Sequence, residues 1–133
     1  MAPVPAGEAF SERQYDDIVR AIKLARKQSE LPVSVYVGTL EGDTQGQAQR
    51  LHGALGAAAG ETVLLAVDPG ARRVEIVTGS AVRRRLEDHA AGLAAIAMTS
   101  AFQAGDLAGG IVSGIRSLAE HAQVPKSLHT DTY

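Results

Sequence analysis

Two groups of residues in this sequence have the types and spacing to do chemistry. The first is acidic: Glu41, Asp43 and Asp68. Three carboxylates with backbone carbonyls nearby would suit a hard, oxygen-seeking cation such as Ca²⁺ or Mg²⁺, which could polarise a phosphate and activate water. The second is a short run of small residues, Thr78, Gly79 and Ser80, followed by Arg83, Arg84 and Arg85. Such a turn feeding a helix can hold a small phosphorylated ligand on backbone N–H groups and guanidinium charge. Each residue also has a plainer reading: Asp43 is a natural helix cap, Asp68 a natural turn starter, and three successive arginines on a helix face three directions. The histidines at 52, 89, 121 and 129 never fall at the i, i+4 spacing that lets two reach one metal. His89 lies on an apolar stripe with Leu86, Leu93 and Ile96 and is expected at the edge of the core.

The elements that would position these groups follow from pattern. Ser11 and Gln14 form a capping box, and Tyr15, Ile18, Ile22 and Ala25 recur at helical spacing, which predicts a helix over 12–28 ending before Pro32. The β-branched run 33–37 predicts a buried strand. A helix is expected over 45–55 with Asp43 or Thr44 as its cap. "TVLLAV", the turn "DPGA" and "RRVEIV" predict an antiparallel hairpin, with Pro69 at the first central position of a type II turn and Gly70 at positive φ at the second. An Ala-rich helical stretch over 82–104 with a break near Arg85 or Glu87 comes next, then a last helix over 107–122.

A strand, helix, strand unit closes as a right-handed parallel crossover. The expected fold class is therefore α/β: a small mixed sheet, made of a βαβ crossover plus a β-hairpin and flanked by helices. Parallel pairing puts Gly38, Thr39, Glu41, Asp43 and Asp68 on one rim, the kind of edge where open α/β sheets bind ligands. Asp68 and the Thr78–Ser80 turn sit at opposite ends of a strand roughly 17 Å long and form separate candidates.

The stretch "SAFQAGDLAGGI" interrupts helical pattern with Gly105-Asp106 and Gly109-Gly110. It predicts a helix corner, with Gly105 left-handed just past one helix and Asp106 capping the next. Gly110 and Gly114, four apart, leave a bare helix face expected to pack against the sheet.

Composition sets the outer bounds. A chain of 133 residues can bury roughly two thirds of its unfolded surface in one core. One domain over 11–122 is expected, with a flexible lead-in over 1–10 and a flexible tail over 123–133. The absence of cysteine excludes disulfides, thiolate metal sites and cysteine nucleophiles. A formal charge of -2, with no Trp and few other aromatics, argues against a nucleic-acid partner by either charge or stacking. Neither a signal-peptide pattern nor about 18 uninterrupted apolar residues is present, so the chain as written reads as cytoplasmic, with no direct membrane insertion.

Three stretches resemble one family. "GETVLLAVDPGARRVEIVTG" is similar to the hairpin of the TPM domain, "SAFQAGDLAGGI" to its Gly-Asp helix corner, and "FSERQYDDIVRAIKLARKQSELPVSVYVG" to its opening helix and first strand. The resemblance implies a TPM-like sandwich and covers about 100 residues in the right order. That family includes a thylakoid acid phosphatase linked to photosystem repair, a membrane accessory protein of acetylcholine receptors and bacterial envelope proteins, with calcium binding in some members. The chain looks closest to a soluble actinobacterial branch classed as a domain of unknown function. Where the family shows an acid, a residue, Gly, an aromatic and Gly after the second hairpin strand, this chain has Val77, Thr78, Gly79, Ser80 and Ala81. The missing acids favour a noncatalytic accessory or protein-interaction module with a protein partner. The alternative is a divalent-metal-assisted phosphomonoesterase using Asp68, Asp43 and Glu41.

Overall fold

A computed structural model describes residues 10–122. The lead-in and the tail expected from the sequence lie outside the described residues, apart from Phe10. Helix α1 (Glu12–Ser29) leads into strand β1 (Val33–Val37), helix α2 (Thr44–Gly53), strands β2 (Val63–Asp68) and β3 (Arg73–Thr78), and helices α3 (Asp88–Gln103) and α4 (Leu107–His121). Short 3₁₀ segments, Gly56–Glu61 and Val82–Arg84, precede β2 and α3. The break expected in the Ala-rich stretch falls between the second of these and α3, at 85–87.

The sheet has three strands in the order β1-β2-β3. β1 runs parallel to β2, with Val35 opposite Leu65, and β3 runs antiparallel to it, with Ile76 opposite Leu65. This is the mixed sheet of crossover plus hairpin that the residue pattern predicts. Every residue of β2 is buried, as a central strand covered on both faces must be.

Alternation sorts the strand side chains into two layers. Val33, Val35, Val37, Val63, Leu65 and Val67 face a core shared with Ile18 and Ala25 of α1, Ala94 and Met98 of α3, and Ile111, Ile115 and Leu118 of α4. On the opposite face Leu64 and Ala66 pack under α2, with Leu40, Ala48, Leu51, Tyr36 and Val77. The helices therefore cover the sheet on both sides, three on one face and one on the other.

Local signals explain most boundaries. Ser11 and Gln14 make the reciprocal capping box, at 2.9 and 3.1 Å. α1 ends at Glu30, in the left-handed region at φ 52°. α2 starts and ends slightly before its expected span. The hairpin differs from the type II turn expected: Gly70 does not take a positive φ, and the left-handed step falls on Arg72 at φ 56°. The four residues between the strands lie one position further along than expected, 69–72 in place of 68–71, because Asp68 pairs with Arg73. The Asp68 carboxylate and the Pro69 carbonyl hold the turn, at 3.2 Å to Ala71 N and 3.3 Å to Arg72 N, so reversal is completed at its last position.

Candidate functional site

The rim at the carboxyl ends of β1 and β2 is built around Asp68. Its side chain is 7% exposed, and both oxygens are engaged: Oδ2 accepts from Leu40 N at 3.0 Å and Oδ1 from Ala71 N at 3.2 Å. One carboxylate thus ties the loop after β1 to the hairpin turn. Glu41 and Asp43 are exposed. Asp43 holds the first position before α2 without a side-chain cap bond, its carboxylate lying alongside Gly46. Among the described residues no three His, Asp or Glu side chains come together to hold a metal ion. The set expected to bind Ca²⁺ or Mg²⁺, namely Asp68, Asp43 and Glu41, is therefore not gathered, because the buried member faces N–H donors and the other two face solvent.

A polar contact that pattern reading missed lies beside this rim. Thr44 Oγ1 donates to Glu75 Oε2 at 2.9 Å, joining the start of α2 to β3. Glu75 sits opposite Ala66, which sits opposite Tyr36, so a small side chain separates an aromatic from an acid across the sheet. The signal was present as the one carboxylate inside "RVEIV".

The opposite rim carries Thr78, Gly79, Ser80 and Arg83, the candidate anion site. Gly79 is buried, and a Cβ there would lie 2.1 Å from the Ala59 carbonyl oxygen, so glycine is required by close backbone approach. The Gly79 and Ala81 N–H groups bond to the Thr62 and Gly60 carbonyls at 3.1 and 2.8 Å. Arg83 donates to the Thr78 carbonyl at 2.8 Å. Of the donors that would cradle an anion, the Gly79 and Ala81 N–H groups and one Arg83 N–H are thus committed within the protein. Arg85 reaches further: its guanidinium donates to the carbonyls of Glu30, at 2.8 Å, and Ser29. It caps the carboxyl end of α1, where the orphan carbonyls of a helix without a C-terminal glycine need a donor. Arg84 is exposed.

Among the described residues the histidines do not converge, and His129 lies outside them. His52 Nε2 lies 3.0 Å from the Thr62 carbonyl and His121 Nδ1 lies 2.8 Å from that of Ser117. His89 is exposed rather than at the core edge, and Leu93 and Ile96 beside it are 38% and 64% exposed. The stripe fails because α3 buries Ala90, Ala94 and Met98 instead.

The helix corner has the geometry the sequence predicts. Gly105 has φ 85°, its N–H bonds to Phe102 O at 3.0 Å, and Asp106 N bonds to Ala101 O at 2.9 Å. This pair of bonds closes a Schellman motif. Asp106 Oδ1 then accepts from Gly109 N at 2.9 Å and caps α4. Gly110 and Gly114 face α3, not the sheet: a Cβ at Gly110 would meet the Phe102 ring at 2.6 Å, and one at Gly114 the Met98 sulfur at 2.5 Å.

A groove of about 810 Å³ runs between α1 and α4. Ala21, Ala25, Val112, Ile115 and Ala119 line its apolar part, with Asp17, Arg20, Arg116 and Glu120 also along it. Leu24 lies in the groove and is 43% exposed. It lies off the α1 stripe of Tyr15, Ile18, Ile22 and Ala25, so periodicity does not mark it.

Residues 3–119 match the family described as "Domain of unknown function (DUF5130)". Two uncharacterized proteins of Mycobacterium tuberculosis, MT2543 and Rv2468c, are each 35% identical over 99 residues, covering 74% of this chain and 59% of theirs. The chain thus spans less than two thirds of the length of these relatives. Among solved structures, the BA42 protein of Bizionia argentinensis superposes with a TM-score of 0.77 at 21% identity, over 92% of this chain and 90% of that one. The N-terminal domain of the cg2496 protein of Corynebacterium glutamicum gives 0.75 at 20% identity, over 92% and 79%. At that level of identity the likeness is one of fold.

Proposed function

The chain belongs to the DUF5130 family, and from that premise we propose that it is a noncatalytic accessory or protein-interaction module, docking a partner in the groove between α1 and α4. The observation that carries this reading is Leu24, a large apolar side chain 43% exposed in a groove lined by both apolar and charged residues. Apolar lining with charged residues of both signs alongside suits an amphipathic helix of another protein, which lays its apolar face into such a groove. The polar groups of the two strand rims support the same reading from the other side. Asp68, Arg83 and Arg85 all bond to this protein's own backbone. The TPM family, which three stretches of this sequence resemble, includes a membrane accessory protein, and that fits the same reading.

The test is a pull-down with the folded protein against its Leu24→Lys variant. A stoichiometric partner captured by the parent and lost by the variant, with unchanged circular dichroism, is the expected outcome. Equal capture by both overturns the groove as the docking surface.

The phosphomonoesterase alternative has less support, since its proposed ligands are not gathered. Titration with Mg²⁺, Ca²⁺ or Mn²⁺ should leave the melting temperature unchanged, because an ion that binds only the folded state would raise it by mass action. Metal-dependent turnover of a chromogenic phosphomonoester, lost in a folded Asp68→Asn variant, would reverse the order of the two readings. Among the described residues no helix is long and apolar enough to cross a membrane.

A further inference from the structure

The two outer strands of the sheet end differently. In β1 the residues whose backbone groups point away from β2 are Val33, Val35 and Val37, as the Pro32 to Val63 and Gly38 to Val67 bonds fix the phase of the parallel ladder. These three are 7%, 0% and 2% exposed, so that edge is covered. In β3 the bond from Gly79 N to Thr62 O makes the pairs Leu64–Val77, Ala66–Glu75 and Asp68–Arg73 the hydrogen-bonded ones. The N–H and C=O groups of Val74 and Ile76 therefore point outward. Both residues are only half-buried although their side chains pack on the core, and neither backbone bonds another described residue across that edge. Arg83 covers the third outward carbonyl, that of Thr78. The open edge is thus a short one, running over residues 73–76.

An open strand edge is a template for another strand. Charge selects the occupant. Arg73 and Glu75 lie on the α2 side of β3, two residues apart, with no ion pair to either among the described residues. A two-fold antiparallel pairing centred on residue 75 would set Glu75 directly against its own copy. Centred on Val74, the same pairing exchanges both Val74 backbone bonds. It also sets Arg73 opposite Glu75 of the partner subunit, twice, in the register where side chains approach most closely. We infer that the β3 edge pairs with a second copy of this chain about Val74, joining two sheets into one through reciprocal Arg73–Glu75 contacts. So short an overlap lies below the size of a standard stable interface, and the dimer is a concentration-dependent one. This surface is separate from the α1–α4 groove, and the inference stands whether or not a partner docks there.

Sedimentation equilibrium of the full chain at low salt, over a concentration series reaching about 1 mM, tests it. A monomer–dimer equilibrium is expected. Val74→Pro removes only an outward N–H, a place where edge strands tolerate proline, and should weaken the dimer at least about tenfold with the monomer still folded. R73E and E75R should each weaken it, and the double variant R73E/E75R, which restores opposite charges across the two-fold, should recover it. Glu75 also accepts from Thr44, so circular dichroism of each variant is read alongside. A chain that stays monomeric throughout the series overturns the inference. So does a dimer indifferent to Val74→Pro, or a double variant no stronger than the singles.

Discussion

Three aspartates show how much the fate of a side chain depends on where its oxygens point. Asp106 accepts one N–H at the start of α4, and its replacement by Ala should cost about 1 kcal/mol in urea unfolding, with Asn retaining most of that. Asp68 accepts two N–H groups from different loops while almost wholly buried. Asp68→Ala should therefore cost more, about 2 kcal/mol, since it leaves the Leu40 donor without an acceptor in a buried place. Asp43, with no cap bond, should be replaceable by Ala within about 0.5 kcal/mol, like other surface changes away from such features. Sequence made the first of these legible, because a cap and its helix are neighbours in the chain. Asp68 read as a turn starter and is one, but its second bond crosses 28 residues to Leu40, and no local pattern encodes that.

At the scale of elements, the helix corner and the hairpin were legible to within a few residues, and the contacts between elements were not. The bare face of α4 at Gly110 and Gly114 is visible in spacing, yet spacing does not say whether a sheet or a helix will cover it. α3 covers it, and the two glycines meet different neighbours. A Cβ at Gly110 runs into the stiff Phe102 ring, whereas one at Gly114 meets the Cγ and sulfur of Met98, an unbranched side chain that is fully buried. Gly110→Ala should destabilise by about 1–3 kcal/mol through overpacking. Gly114→Ala should cost less, since an unbranched Met98 chain re-packs more readily than an aromatic ring. Thermal unfolding of the pair measures the difference, and equal losses would mean that the Met98 side chain is held as firmly as the ring.

For the molecule as a whole, the α/β architecture follows from β-branched runs, a crossover and a hairpin, all of which are short-range signals. The candidate sites could not follow in the same way, because whether a carboxylate or guanidinium is available depends on which distant backbone group it meets. The arginine triplet makes the point: Arg83 bonds five residues back, whereas Arg85 bonds 55 and 56 residues back, at the end of α1. That span also gives Arg85 a place in time. A contact that closes so long a loop brings little reward until the segments around it are already packed, so it belongs on the native side of the folding barrier. Arg85→Ala should accordingly speed unfolding by about tenfold while leaving the refolding rate nearly unchanged, the signature of a low φ-value in a stopped-flow chevron. The guanidinium that caps α1 would then act as a brake on opening, setting how long the folded protein lasts rather than how fast it forms.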